Sequence, residues 1–96
     1  MKDIDFEWDE RKASMNLKKH GVSFEEAKSV FYDENGLHMP DPDHSRDEDR
    51  FVLIGMSQQI RMVVVCHCYR KNDSIIRLIS ARKATKQERS SYERNL

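Results

Sequence analysis

Glycine, cysteine and long apolar runs are all scarce in this 96-residue chain. Gly21, Gly36 and Gly55 stand isolated, so no glycine-rich loop exists to wrap a phosphate. The two cysteines, Cys66 and Cys68, lie one residue apart in a valine-rich run. On a strand such residues share a face, and a disulfide across so short a gap would be strained. A buried pair of reduced thiols is expected, which suits a cytosolic protein. His67 between them points to the opposite face, so this triplet chelates poorly. No paired CxxC, no HExxH and no GxSxG elbow occurs. No run approaches membrane-spanning length, and Met1-Lys2-Asp3-Ile4-Asp5 lacks the apolar core of a signal peptide. A soluble, cytoplasmic protein is expected. Internal repeats and low-complexity tracts are absent too.

What the chain has is charge, unevenly placed. Residues 1–50 carry 8 Lys/Arg against 14 Asp/Glu, and residues 70–96 carry 8 against 3. The net charge of zero therefore hides an acidic first half and a basic last part. Such a chain can offer one basic face to a polyanion while the rest stays solvated. Hydrophobic residues are 38% of the total, gathered in clear runs, so a folded chain is expected and its length suits one domain over 1–96.

Local signals order the elements. Phe6-Glu7-Trp8 alternates as a short strand. Asp9 stands where a helix cap belongs, and Gly21 where the helix should stop. Ser23-Phe24-Glu25-Glu26 reads as a capping box opening a second helix, with Val22 and Ala27 as its hydrophobic staple. Leu37–Met39 predicts a strand ended by Pro40 and Pro42. Strands follow at Phe51–Met56, Ile60–Tyr69 and Ile75–Ala81, joined by connections short enough for an antiparallel meander. Thr85-Lys86-Gln87-Glu88 is a further capping box and opens a C-terminal helix. The expected fold is α+β: an antiparallel sheet of about four to five strands, two N-terminal helices and a C-terminal helix.

Candidate chemistry falls in few places. His38, His44, Asp41, Asp43, Asp47, Glu48 and Asp49 crowd one segment. A calcium loop would need a glycine there, so a solvated acidic loop and no metal is expected. Cys66 and Cys68, mid-strand, read as core rather than nucleophile. Arg50 precedes the first meander strand, and Arg82 and Lys83 end the last. Antiparallel neighbours can bring such ends together, and arginine grips phosphate through two parallel hydrogen bonds. Arg82 shares strand parity with Ile76, Leu78 and Ser80. His44 and Glu48 are candidate proton-transfer groups. His20 closes the first helix, where the dipole favours a cation.

Specific blocks then carry a resemblance. Phe6-Glu7-Trp8-Asp9-Glu10 and Asn16-Leu17-Lys18-Lys19-His20-Gly21-Val22-Ser23-Phe24-Glu25-Glu26-Ala27 resemble the opening of the BrnT toxin family. Asp41-Pro42-Asp43-His44-Ser45, Asp47-Glu48-Asp49-Arg50-Phe51, Ile54-Gly55, Ile79-Ser80-Ala81-Arg82-Lys83-Ala84-Thr85, Glu88-Arg89 and Tyr92-Glu93 are similar to its later blocks, in order. The resemblance implies a RelE-like ribonuclease toxin without a cofactor. It also implies a BrnA-type ribbon-helix-helix antitoxin, in an assembly of two toxins with two antitoxins that binds operator DNA through the antitoxin. It carries the catalytic role onto Arg50 and Arg82, with His44 and Glu48, and RNA binding onto Lys19, His20, Lys83 and Lys86. RNA would be cut through its own 2′-OH, without a metal. A non-catalytic binding module and a metal-dependent nuclease built on the acidic loop remain as rivals.

Overall fold

The computed structural model describes residues 4–41 and 50–96. The elements run β1 (Asp5–Glu7), α1 (Glu10–His20), α2 (Phe24–Val30), β2 (Leu37–Pro40), β3 (Arg50–Met56), β4 (Met62–Arg70), β5 (Ile75–Lys83) and α3 (Lys86–Arg94). They form an α+β fold whose strands make one five-stranded sheet in the order β1-β5-β4-β3-β2. Strands β3 to β5 are the expected antiparallel meander, and β2 extends it by pairing antiparallel with β3. β1 joins β5 in parallel, Asp5 beside Ile75, so the sheet is mixed rather than purely antiparallel. No hairpin sets the direction of β1, because the chain leaves it for two helices and re-enters the sheet at the far edge.

The helix ends follow local chemistry. The Asp9 carboxylate accepts from Arg11 N at 2.8 Å and Lys12 N at 3.2 Å. Gly21 stops α1 in the left-handed region at φ 70°, where a side chain would be strained. The capping box at Thr85–Glu88 is complete. The one expected at Ser23–Glu26 is half made. Ser23 Oγ accepts from Glu26 N at 3.0 Å, but the Glu26 carboxylate turns inward instead. It accepts from Ser57 Oγ at 2.7 Å and Arg61 Nε at 2.9 Å. A buried carboxylate needs a charged partner more than a helix end needs its second cap, and Arg61 supplies it.

Helices α1 and α2 cover one face of the sheet. Val22, Phe24, Ala27 and Val30 pack there with Leu53, Val63, Val65, Ile76, Leu78 and Ala81. Each large side chain buried this way contributes about 1.5–3 kcal/mol. Gly55 lets α2 approach, since a Cβ there would lie 2.9 Å from a methyl of Val30. α3 crosses the opposite face, where Tyr92 packs on Ile54 and Val64. Its hydroxyl donates to Asp33 Oδ2 at 2.7 Å, which ties α3 to the end of α2.

β5 carries one extra residue. Ser80 pairs with Cys66 but Leu78 pairs with His67, leaving Ile79 without a partner position. This bulge lets Ile76, Leu78 and Ala81 all face the helical pair. It also breaks the expected parity, so Arg82 faces away from Ile76 and Leu78. Beyond Arg77 β5 has outrun three-residue β1, and the buried side chain of Asn16 stands in for a strand. Asn16 Nδ2 donates to Ala81 O at 2.8 Å, and its Oδ1 accepts from Ala81 N at 3.1 Å.

Candidate functional site

On the α3 face, Arg50 lies opposite Cys68, Val52 opposite Cys66, and Ile54 opposite Val64. Across β4, Arg77 pairs with Cys68, Ser80 with Cys66 and Arg82 with Val64. Residues directly opposite on neighbouring strands share a face, so this side carries Arg50, Cys66, Ser80 and Arg82 together. The register corrects the expected meeting of Arg50 with Arg82. β3 and β5 both pair with β4, so they run in the same direction, and the start of β3 lies beside the start of β5. The partners of the two arginines on β4, Cys68 and Val64, are four positions apart, about 13 Å along the strand.

Arg82 is held by a carboxylate. Its Nη1 and Nη2 donate to Glu88 Oε1 and Oε2 at 2.7 and 2.9 Å. The guanidinium holds the Glu88 carboxyl down at about 2, against the pull of burial, and Glu88 raises the Arg82 pKa in return. The same carboxylate closes the cap by accepting from Thr85 N at 2.8 Å. Arg82 is thus fixed in direction and half neutralised, with its side chain 43% exposed.

The other predicted basic residues gather near the end of the sheet where β4 begins. Exposed Lys83 and Lys86 line a groove of about 740 Å³ between α3 and the β3–β4 hairpin, together with Arg61 and Arg89. The first helix ends beside it, because Arg61 Nη2 donates to Gly21 O at 3.0 Å. Exposed Lys19 and half-buried His20 occupy that helix end. Arg61 and Arg89 were not singled out from the sequence. Arg61 stands in a predicted strand with no charged neighbour, and its partner Glu26 is 35 residues away.

Arg50 is half-buried at the far end of the same face, next to Asp41, whose backbone N–H donates to Arg50 O at 2.9 Å. His44 and Glu48 lie outside the described residues. Cys66 donates to Asp41 Oδ2 at 3.5 Å. Burial first, and Asp41 second, push its thiol up to about 11, so it is no nucleophile near neutrality. Neither cysteine is in a disulfide, and Cys68 is buried. His67 is also buried, on the helical-pair face among Phe31, Phe51, His38 and Tyr69. Among the described residues no group of three His, Cys, Asp or Glu is placed to hold a metal. Nor is any described helix long and apolar enough to cross a membrane.

Comparison with known proteins matches residues 8–88 to a family model described as the ribonuclease toxin BrnT of a type II toxin–antitoxin system. Among solved structures, the crystal structure of the Brucella abortus ribonuclease toxin BrnT superposes with a TM-score of 0.68 at 22% identity. The alignment covers 88% of this chain and 100% of that one, and it establishes a shared fold. No curated protein sequence matches.

Proposed function

The chain belongs to the BrnT family of ribonuclease toxins, and from that premise we propose that it is an endoribonuclease that inhibits growth by cutting RNA. The observation that carries the placement of the site is the convergence of Arg82, Lys83 and Lys86 where β5 meets α3. A single strand of RNA crosses the α3 face. Arg82 binds the scissile phosphate and stabilises the charge that builds on its oxygens. Lys83 and Lys86 hold the flanking phosphates, with Lys19 and His20 beyond them. Arg50, about 13 Å along the strand from Arg82, takes a phosphate farther along the same path. His44 and Glu48 remain the candidates for moving protons.

The reaction is metal-independent. The ribose 2′-OH attacks the adjacent phosphate, the 5′-oxygen leaves with a proton, and the products end in 2′,3′-cyclic phosphate and 5′-hydroxyl. In this reading the fold is RelE-like, the whole of 1–96 is one domain, and the protein works in the cytoplasm. Its partner is a ribbon-helix-helix antitoxin of the BrnA type, two with two, which brings the complex to operator DNA.

The test is cleavage of a synthetic single-stranded RNA by purified protein in EDTA, with end-group analysis. Cleavage with cyclic-phosphate ends supports the reading. Activity only on addition of Mg²⁺ or Mn²⁺ would replace it with a metal-dependent nuclease. RNA binding without cleavage under either condition would leave the binding module.

A further inference from the structure

The β3–β4 connection holds a residue that the chain itself does not need in that form. Ile60 N donates to Ser57 O and Ser57 N to Arg61 O, both at 2.9 Å, which closes a three-residue loop. Its last residue sits in the left-handed region, at φ 60° for Ile60. Glycine or asparagine normally takes that position, and a β-branched side chain there is strained. Ile60 is also 83% exposed. Ile60 belongs to neither buried cluster of the core.

The loop cannot relax, because its base is bolted to α2 and the turn after it. Met56 N donates to Asp33 Oδ2 at 2.7 Å, Ser57 Oγ to Glu26 Oε2 at 2.7 Å, and Gln58 N to Ser29 Oγ at 2.9 Å. A strained residue persists where its surroundings over-determine it, and such residues cluster at contact sites. Ile60 is therefore a rigidly presented aliphatic knob. It overlooks the groove beside α3, where Met56 and Leu96 add exposed apolar surface and Lys83, Lys86 and Arg89 add cations, against the carboxylate of Glu93.

We infer that this groove seats an acidic, amphipathic segment of a protein partner, and that the partner is the antitoxin; this rests on the toxin–antitoxin reading above. The apolar side of the segment covers Ile60, Met56 and Leu96, and its carboxylates pair with Lys83, Lys86 and Arg89. RNA would use the cations but would gain little from the aliphatic rim. A segment bound here takes the two lysines assigned to flanking phosphates, so docking and neutralisation are one event.

Calorimetric titration of the purified protein with the purified ribbon-helix-helix product encoded next to its gene, where the proposed system would place its antitoxin, tests this. Ile60→Asp should weaken binding by about 30-fold or more, the loss typical of a central anchor. Ile60→Gly should also weaken it, while its melting temperature stays level or rises because the left-handed strain is gone. Both variants should still cut RNA at the wild-type rate. Binding of both variants within twofold of wild type would overturn the inference. So would variants that bind normally but lose RNA cleavage, since the groove would then belong to RNA. If wild type cuts RNA yet ignores the neighbouring product, the antitoxin reading falls and takes this inference with it. If wild type binds that product but cuts no RNA, the ribonuclease reading fails while the docking result is still read from the Ile60 variants.

Discussion

Arg82 serves two masters, since one guanidinium both anchors the start of α3 through Glu88 and stands where RNA is proposed to pass. Two substitutions should therefore move activity in opposite directions. Arg82→Ala should lower the cleavage rate by about 10²–10³, the loss typical of one well-placed donor. The half-exposed pair contributes under about 1 kcal/mol to stability, so the fold should survive. Glu88→Gln keeps an oxygen for Thr85 N but removes the competing charge, and RNA should bind several-fold more tightly. Filter binding and single-turnover cleavage of both variants give the answer; a Glu88→Gln variant with weaker RNA binding would show that Glu88 positions Arg82 rather than masking it. His67 offers a residue-scale test of stability. Its Nδ1 lies 3.2 Å from Val65 O, while Nε2 is buried without a hydrogen-bond partner among the described residues. Burial depresses its pKa from 6.5 to about 4. A depressed histidine favours folding fully above its unfolded value and loses that contribution as pH falls from about 6.5 towards 4. The shift corresponds to about 3 kcal/mol. In thermal melts at pH 7 and pH 4.5, wild type should therefore lose more stability than His67→Phe. Equal losses would show that His67 is protonated without penalty.

At the scale of elements, what could be read along the chain was what depends on near neighbours. Asp9, Gly21, Ser23 and Thr85 mark helix ends through bonds that span two to four residues, and the three long strands announce themselves by alternation and short turns. What depends on register could not be read. The bulge at Ile79 turns Arg82 to the opposite face from Leu78, and no local pattern in Ile75–Lys83 reveals it. Strand order likewise decides that Arg50 and Arg82 lie apart, and a partner distant in sequence decides that Glu26 abandons its cap. The positions of Lys83 and Lys86 beside the start of α3 were legible because they flank a recognisable helix start. Ile60 was not, because an isoleucine before Arg61-Met62-Val63 looks like the start of a strand. The bulge itself is held by Asn16, whose amide replaces the backbone of a missing neighbour. Asn16→Leu should leave the buried N–H and C=O of Ala81 unsatisfied, at roughly 1–3 kcal/mol for each group. Urea unfolding should show a loss of about 3 kcal/mol with an unchanged slope, and RNA cleavage should fall because the segment that carries Arg82 loosens. A variant as stable as wild type would mean that Ala81 finds other partners.

For the whole molecule the question is how a chain of zero net charge would attract the RNA proposed as its substrate. The answer is distance against screening. The chain extends 33 × 31 × 29 Å, while charges in physiological salt are screened over about 8–10 Å. α1 alone separates Asp9 and Glu10 at its start from Lys19 and His20 at its end by about 16 Å. An RNA strand approaching the proposed site at the junction of β5 and α3 would therefore meet Lys83, Lys86 and Arg89 rather than the average of the chain. Binding should then depend on salt as a small number of phosphate contacts, despite a sequence pI near 6.9. Each contact with single-stranded nucleic acid adds about 0.7 to the slope of log K against log salt concentration. With Arg82, Lys83, Lys86, Lys19 and Arg50 each on a phosphate, the slope should be about −3.5. Lys86→Ala should make it shallower by about 0.7 and weaken binding most at low salt. Lys12→Ala should leave the slope unchanged, since exposed Lys12 stands in α1, on the face of the sheet opposite α3. Fluorescence anisotropy of a labelled RNA between 50 and about 200 mM salt, the range over which counterion release is well resolved, measures all three proteins. If Lys86→Ala and Lys12→Ala change the slope equally, RNA is not held at the junction of β5 and α3, and the attraction comes from diffuse charge instead.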